Sequence, residues 1–304
     1  MGYDCIVCIK QVPDTARVTA EAMKEDGTLN RAALPAVANP DDLHALEAAL
    51  SVRDCYGGSV TALTMGPLGA SEVLRECLYR GADRGILIND RRAAGSDTLA
   101  TSYILCQGIK TLGRYDLVFC GRQAIDGDTA QAGPQLAEKL GVVQVTYLER
   151  VVELSDGVLR ARRNVGNGWE IVESRLPVLG TVLDTANEPR PPSARRVMLF
   201  KRARTPAEVV RDVAAAMPNA SEEEREAQQA ARIERLKMNG LLMEQWNLDD
   251  VHADLCWCGI SGSPTKVHRV QSIVLTKKGY KEVAPTEEGV RGLVHELIVD
   301  RTWG

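Results

Sequence analysis

Short apolar runs alternate with longer segments of helical periodicity over residues 1–150 of the chain. The apolar runs predict β-strands at residues 5–10, 59–65, 85–88, 116–120 and 144–147. The segments between them predict helices at residues 43–53, 70–80, 97–112 and 129–140, the first capped by Asp41 or Asp42. Strands that alternate with helices need crossover connections, so the pattern predicts an α/β fold with a parallel sheet covered by helices on both faces.

The pattern changes after residue 150. Residues 151–154, 158–163 and 169–173 predict an antiparallel section, and residues 176–182 are expected to return to the main sheet. Capping boxes at Thr205 and Ser221 predict two helices within residues 205–244, which look like an insertion. We therefore expect an α/β domain over residues 1–190, including a small antiparallel section at 151–175. Residues 191–304 are expected to hold a partner-recognition loop, the helical insertion and an extended C-terminal arm.

The composition argues against several classes of protein. A net charge of -4 gives no basic excess for nucleic acid, and at 4% aromatic residues there is little to stack on bases. No apolar run has membrane-spanning length and the first is too short for a signal peptide, so we expect a cytoplasmic protein without membrane insertion. The cysteines lack zinc-ligand spacing, so we expect no metal, and Cys5 and Cys8 should point to opposite faces of the first strand.

Most of the candidate chemistry lies in residues 120–134, which leave the fourth strand, pass a glycine-rich turn and enter a helix. Free amides at a helix start, together with the helix dipole, form an anion site, and Arg122 offers a charged fork for phosphate. Gly121 and Gly127 permit close approach of the backbone. Asp126 or Asp128 is expected to cap the helix or to meet a ribose hydroxyl, although an ordinary strand–turn–helix connection capped by aspartate is the alternative.

Three further polar segments, residues 39–42, 65–67 and 95–101, end predicted strands or begin predicted helices. In a parallel sheet such segments meet at the carboxyl edge of the strands, where these folds bind ligands. No nucleophile elbow and no catalytic triad is recognisable, so no catalytic residue is predicted. The sequence therefore predicts a nucleotide-binding α/β protein without acid–base machinery of its own.

Several motifs, taken in order, resemble one family. They are CIKQVPD at 8–14, NPDD at 39–42, GADR at 81–84, GRQAIDGDTAQ at 121–131, LP at 176–177, NEPR at 187–190, WNLDD at 246–250 and GSPT at 262–265. The series is similar to the beta subunit of electron transfer flavoproteins. The resemblance implies a doubly wound sheet of the adenine nucleotide alpha hydrolase kind. It also implies a tight heterodimer with an alpha subunit that holds a mobile FAD.

The resemblance also implies where a cofactor is bound. Carried over position by position, the contacts fall on Cys8, Asn39, Pro40, Asp41, Asp42, Met65, Arg122, Gln123, Ala124, Ile125, Asp126, Gly127, Asp128, Thr129, Ala130, Gln131, Ala132 and Gly133. The helix start at residues 95–101, with its caps and hydroxyl groups, adds Asp97, Thr98 and Thr101 as candidate cofactor-binding residues. One branch of the family binds AMP at this place, whereas the electron-bifurcating branch binds a second FAD. The GSDTLATSY run at 95–103 and the WNLDD and GSPT motifs look like the bifurcating branch.

In the bifurcating branch this FAD accepts hydride from NADH. Its electrons then go to the alpha-subunit FAD and to a low-potential carrier such as ferredoxin or flavodoxin. The chain is thus expected to be an electron-carrier subunit and not an enzyme in itself. The family's docking loop for an acyl-CoA dehydrogenase carries a leucine after the NEPR motif, and Ala194 stands at that place here.

Three alternatives remain open at this point. Within the family, an AMP-binding form would shuttle single electrons from an acyl-CoA dehydrogenase to a quinone reductase. An ATP pyrophosphatase on a similar fold would need a Gly-Ser-rich loop where the QVPD of residues 11–14 stands. A stress-type ATP-binding module would not need the long C-terminal arm.

Overall fold

A computed structural model describes residues 2–14, 35–265 and 282–299 of the chain. Within these residues nine strands form one sheet, and two short strands form a separate antiparallel ribbon. The strands are β1 (Tyr3–Cys8), β2 (Gln11–Pro13), β3 (Ala36–Ala38), β4 (Gly58–Met65), β5 (Arg84–Ile88), β6 (Leu117–Gly121), β7 (Val143–Ser155), β8 (Val158–Asn164), β9 (Trp169–Arg175), β10 (Val178–Val182) and β11 (Glu244–Trp246). The helices are α1 (Pro40–Tyr56), α2 (Ser71–Arg80), α3 (Thr98–Leu112), α4 (Ala132–Leu140), α5 (Ala194–Phe200), α6 (Pro206–Ala216), α7 (Glu222–Met238) and α8 (Glu287–Val299).

The order of strands in the large sheet is β11-β5-β4-β1-β6-β10-β7-β8-β9. Neighbouring strands run parallel from β11 to β7, and β7, β8 and β9 form the antiparallel section. The chain leaves β1 to one side for β4 and β5 and then returns to the other side for β6. The winding direction therefore reverses between β1 and β6, and the doubly wound sheet expected from the sequence is confirmed.

Helices cover both faces of this sheet. Leu46 of α1 belongs to the core on one face, with α2 beside it, and Ile104 of α3 belongs to the core on the other face, with α4. Cys5 lies in the first of these cores and Cys8 in the second, so the two thiols point to opposite faces of β1 as predicted. The side chains of one strand thus bind helices on both sides of the sheet.

The start of α4 differs from the prediction. The helix begins at Ala132 and not at residue 129. Asp128 and Ala130 have φ angles of 48° and 53°, which lie in the left-handed region and cannot continue a right-handed helix. Residues 122–131 are therefore a long turn, and more backbone faces the carboxyl edge than the sequence suggested.

The cap of α1 also differs from the prediction. Asn39 occupies the N-cap position because Pro40 takes the first helical place, where its missing N–H costs nothing. Asp41 and Asp42 lie in the first turn instead of capping it. Their carboxylates are thereby free to bond elsewhere.

The second half of the chain contributes strands to the large sheet that differ from those predicted. Residues 178–182 return to the sheet as β10, as expected, whereas β7 is one strand where two were predicted. β11 adds a parallel strand next to β5, and neither it nor α8 was anticipated.

The helical insertion is anchored by a buried ion pair. Both predicted capping boxes are present, at Thr205 and at Ser221. Glu208 of α6 accepts hydrogen bonds from Arg75 of α2 at 3.0 Å and from the Ser71 hydroxyl at 2.9 Å. The side chains of Arg75 and Glu208 are each only 3% exposed, so α6 is fixed to α2 by two charges that water does not reach.

Candidate functional site at the carboxyl edge of the sheet

A cavity of about 820 Å³ opens where the winding direction of the sheet reverses, and we call it the main cavity. It is bounded by the ends of β1, β4, β5 and β6 and by the first turns of α3 and α4. The predicted site residues that line it are Cys8, Asp42, Met65, Asp97, Thr98, Thr101, Arg122, Gln123, Ala124, Gly127, Thr129, Ala130, Gln131, Ala132 and Gly133. The four segments that the sequence placed at strand ends therefore meet in one space.

Six predicted residues do not line this cavity. They are Asn39, Pro40, Asp41, Ile125, Asp126 and Asp128. Asp128 is exposed and accepts a hydrogen bond from the Gln123 amide at 3.2 Å. Asp126 pairs with the ammonium of Lys10 at 2.6 Å and so bridges the turn to the end of β1. Neither aspartate caps α4, whose N-cap residue is Gln131.

Asn39 and Asp41 hold the turn after β6 in place. The Asn39 amide donates to the carbonyl of Gln123 at 2.8 Å and accepts from the backbone N–H of Ile125 at 3.1 Å. Asp41 accepts from the backbone N–H of Gln123 at 3.3 Å. The first turn of α1 therefore acts as a clamp on residues 121–125, so Asn39 and Asp41 shape the cavity without lining it.

Asp42 joins the ends of two neighbouring strands. Its carboxylate accepts from the N–H of Lys10 at 2.8 Å, just after β1, and from the N–H of Gly121 at 3.0 Å, at the end of β6. Burial raises the pKa of Asp42 to about 7, and the two amide donors and Asn39 only partly oppose that rise. This carboxyl group therefore titrates close to neutral pH at the point where the winding reverses.

Gly121 is required by the same clamp. A Cβ at this position would lie 2.5 Å from the backbone carbon of Asp41 and 2.5 Å from a carboxylate oxygen of Asp42. Gly133 plays a similar part for α4, because its Cβ would lie 2.6 Å from a methyl group of Thr181 on β10. A Cβ on Gly127, by contrast, would meet nothing within 4 Å and would point into open space.

The start of α4 and Arg122 form the part of the cavity that is best suited to bind an anion. No side chain caps α4, so the amides of Ala132 and Gly133 face the cavity uncapped. Among the described residues, the buried Nε of Arg122 finds no hydrogen-bond partner, and the nearest carboxylate oxygen, on Asp41, is 3.6 Å away. Uncapped amides, a helix dipole and an arginine whose Nε lacks a hydrogen-bond partner fit a phosphate or diphosphate.

The start of α3 is arranged differently. Asp97 caps this helix by accepting from the N–H groups of Leu99 and Ala100, both at 3.0 Å. Thr98 donates to the side chain of Gln131 at 3.0 Å and so links α3 to the long turn before α4. With its amides already satisfied, this wall offers the hydroxyl groups of Thr98 and Thr101 and not an anion site.

Sequence reasoning missed one wall of the cavity, formed by residues 89–94 after β5. Asp90 is held by Arg92, which lowers the pKa of Asp90 to about 2, and Arg91 lies on the cavity rim. The segment carries no glycine-rich motif and opens only a short turn of 3₁₀ helix. Its position directly after a strand was the one signal available.

In the part of the chain that the structure describes, no three potential metal ligands come together. No helix in these ranges is long and apolar enough to cross a bilayer. The fold defines a doubly wound α/β protein with a cavity at the point where the winding reverses.

Comparison with known proteins identifies the family. Residues 26–217 match the family described as electron transfer flavoprotein domain. The chain is 39% identical over 292 residues to the electron transfer flavoprotein subunit beta of Clostridium acetobutylicum, with 96% of each chain covered. It is 37% identical over 303 residues to protein FixA of Bradyrhizobium diazoefficiens, covering 97% of this chain and 91% of that one. It is also 51% identical over 187 residues to the acryloyl-CoA reductase electron transfer subunit gamma of Anaerotignum propionicum, covering 60% and 69% of the two chains.

The chain therefore belongs to the family of electron transfer flavoprotein beta subunits and FixA proteins. This confirms the resemblance drawn from the motifs. Membership gives the chain the part of an electron-carrier subunit that works with an alpha subunit.

Proposed function

We propose that this chain binds FAD in the main cavity and, with the alpha subunit, passes electrons from NADH or from a dehydrogenase flavin to further acceptors. The observation that carries the proposal is the extent of the cavity, which runs from the turn after β6 to the wall after β5. Its 820 Å³ lies in the upper part of the range of roughly 300–1,000 Å³ for ligand sites. AMP, with fewer than half the non-hydrogen atoms of FAD, would occupy only one end.

The residues at the β6 end fit the phosphates of such a cofactor. Arg122 has an unsatisfied guanidinium nitrogen, and the amides at the start of α4 are uncapped. Gly127 leaves open space beside its backbone, so a ligand can approach closely. When bound, the flavin supplies the redox chemistry, and the chain supplies binding, orientation and exclusion of water.

The other end of the cavity fits the part of the cofactor that AMP lacks. Leu63, Ile88 and Leu105 make this region apolar, and Thr98 and Thr101 add hydroxyl groups. An aromatic ring system with polar edges is the kind of group that such a mixed lining accommodates. In the AMP-binding alternative, no part of the cofactor would occupy this half of the cavity.

Two segments that resemble the bifurcating branch support the inclusion of NADH and of a low-potential carrier such as ferredoxin or flavodoxin. The Ser263 hydroxyl accepts from the N–H of Asp97 at 2.8 Å, and the N–H of Thr265 donates to the Asp97 carboxylate at 3.0 Å. The GSPT motif and the GSDTLATSY run therefore lie against each other at the rim of the main cavity. In this proposal the electrons of NADH divide between that carrier and the alpha-subunit FAD.

The contacts with other proteins form part of the same proposal. In α8, residues such as Val290, Leu293 and Ile298 make an apolar stripe, and none of the residues of this helix is buried. We propose that the alpha subunit covers this stripe. For an acyl-CoA dehydrogenase or a similar flavin dehydrogenase, we propose α5, where Ala194 is exposed and Met198 and Leu199 are 64% and 51% exposed.

Substitution of Thr101 by a bulky residue tests whether the main cavity binds FAD or AMP. Thr101 lines the α3 end of the main cavity, so Thr101→Trp would fill the space that only FAD reaches. We expect the heterodimer with Thr101→Trp to lose most of its beta-site FAD after gel filtration, as measured by flavin and nucleotide analysis of the denatured protein. Thr111→Trp, at an exposed position near the end of the same helix, is the matched control and should keep it.

The outcomes of this test are distinct. Loss of one FAD with Thr101→Trp and its retention with Thr111→Trp supports the dinucleotide. Stoichiometric AMP in both variants would refute FAD and favour the AMP-binding form. A full complement of FAD in Thr101→Trp would show that the cofactor does not extend to α3.

A further inference from the structure

Two of the buried cysteines differ from the others in what can reach them. Six cysteines are buried among the described residues, and of these Cys8 and Cys120 line the main cavity. Each of the two is 8% exposed, whereas the other four are 2% exposed or less. A small molecule that enters the main cavity can therefore touch these two thiols but not the other buried ones.

Cys8 and Cys120 lie side by side on neighbouring parallel strands. The register pairs Val7 of β1 with Phe119 of β6, so the next residues, Cys8 and Cys120, stand opposite each other. Both side chains belong to the same core, on the face of the sheet that α3 covers. Neighbouring strands are about 4.7–4.9 Å apart, and a disulfide spans Cα–Cα distances of about 4.4–6.8 Å. The backbone of the two strands therefore meets the distance requirement for a disulfide.

The two thiols are already in contact. The S–H of Cys120 hydrogen-bonds to the sulfur of Cys8, and this bond, together with burial, raises the pKa of Cys120 well above its usual value. Cys120 therefore keeps its proton and directs it at the other sulfur, which is how one thiol of a reactive pair assists its neighbour. In this arrangement Cys8 is the attacking sulfur and Cys120 is the sulfur that closes the bond.

The fold keeps this pair together whether or not a ligand is bound. Asp42 accepts hydrogen bonds from the N–H of Lys10 and the N–H of Gly121, which lie just beyond the two cysteines on their strands. Cys5, three residues before Cys8 on β1, provides a comparison: it lies opposite Leu117 and packs in the core on the other face. The contact between two thiols is thus specific to the cavity end of β1 and β6.

We propose that Cys8 and Cys120 form a redox-active dithiol that exchanges with small disulfides entering the main cavity and closes to a disulfide between β1 and β6. Cys8 attacks one sulfur of the small disulfide and bonds to it, and the other half leaves as a thiol. Cys120 then attacks the Cys8 sulfur, and the second half leaves. The two cysteines give up two electrons and two protons, which are taken up by the two released thiols.

A nucleotide in the main cavity covers both sulfurs and blocks this exchange. The blocking rests on the proposed function, whereas the dithiol itself depends only on the two strands. The site is therefore open to modification when the cavity is empty and protected when the cofactor is bound.

The test treats the reduced heterodimer, with the beta site freed of nucleotide, with dipyridyl disulfide. Peptide mapping by mass spectrometry without reduction should show a peptide that joins Cys8 to Cys120, and dithiothreitol should release it. Cys5→Ser is the matched control on the same strand and should form the same link. Cys120→Ser should instead hold the reagent as a mixed disulfide on Cys8. The wild type carries the main test, so a serine variant that fails to fold does not remove it.

The exposed thiols of Cys55 and Cys256 report that the reagent is active in each sample. If they react while Cys8 and Cys120 stay reduced, the proposal is overturned. A mixed disulfide that accumulates on Cys8 of the wild type without closing also overturns it, because Cys120 would then not act as the second thiol.

Addition of FAD separates this inference from the proposed function. At a free FAD concentration of about 100 times its Kd, the link should form about 100-fold more slowly, because only the empty cavity admits the reagent. Link formation at an unchanged rate in saturating FAD would contradict FAD binding in the main cavity and leave the dithiol standing.

Discussion

Removal of the ionisable group at Asp42 should change how the free energy of unfolding depends on pH. The carboxyl group is buried, and desolvation raises its pKa from 3.8 to about 7. A raised pKa means that the folded state binds the proton more tightly than the unfolded chain. The contribution of this group to the free energy of unfolding is therefore largest at low pH, falls as the pH rises through the range from 3.8 to about 7, and is constant above it.

The size of this effect follows from the shift. One unit of pKa corresponds to about 1.4 kcal/mol, so a shift from 3.8 to about 7 corresponds to about 4 kcal/mol in total. Between pH 5 and 7 the wild type should lose about 1.4 kcal/mol per pH unit relative to a variant without the group. Asp42→Asn is that variant, although it also gives up one of the two bonds to Lys10 and Gly121, which adds a constant cost of about 1 kcal/mol.

The assay is urea unfolding of the heterodimer at fixed protein concentration with excess cofactor, followed by tryptophan fluorescence from pH 5 to pH 8. The difference between wild type and Asp42→Asn removes the titration of all other groups. We expect the advantage of the wild type to shrink up to about pH 7 and then to level off. A pH-independent difference would mean that the two amide donors balance burial, and one that grows with pH would mean that they outweigh it; either result would refute this reasoning.

Two further substitutions test how the site is built. Gly121→Ala should lower the free energy of unfolding by ~1–3 kcal/mol, because the new Cβ lies 2.5 Å from the backbone of α1. Gly127→Ala is the control for stability: its Cβ meets nothing within 4 Å, so the substitution should lower only the retention of the cofactor. If Gly121→Ala and Gly127→Ala are equally stable in a urea titration, the first turn of α1 does not clamp the turn after β6 as described. Glu208→Ala removes one of the two carboxylates that pair with the buried Arg75 and leaves Glu72 as the other, so it should cost ~1–3 kcal/mol. Glu226→Ala on the exposed side of α7 should change stability by no more than ~0.5 kcal/mol in the same titration.

Local sequence patterns were enough to predict a parallel sheet covered on both faces, and its double winding was expected from the resemblance to the family. Apolar runs and helical periods identify β1, β4, β5, β6 and their helices, because each element buries side chains at its own spacing. β11 is only three residues long and has no period to detect, so its place beside β5 was not predictable. The start of α4 was wrong because left-handed residues at Asp128 and Ala130 are set by the surrounding turn.

The sequence predicted where the residues of the candidate site lie better than it predicted what each residue contacts. The segments after β1, β4 and β6 and at the start of α3 do meet in one cavity, as the topology requires. The contacts of Asn39 and Asp41 with residues 121–125 join parts of the chain about eighty residues apart, and no local pattern shows them. The wall with Arg91 was missed because a single exposed arginine in a sequence carries no sign of what it faces.

The FAD content of the heterodimer tests the central claim most directly. The chain is co-purified with its alpha subunit, and FAD and AMP are counted per heterodimer after denaturation. The account predicts two FAD and no AMP, one FAD from each subunit. One FAD together with one AMP, or a beta subunit without any nucleotide, would contradict it.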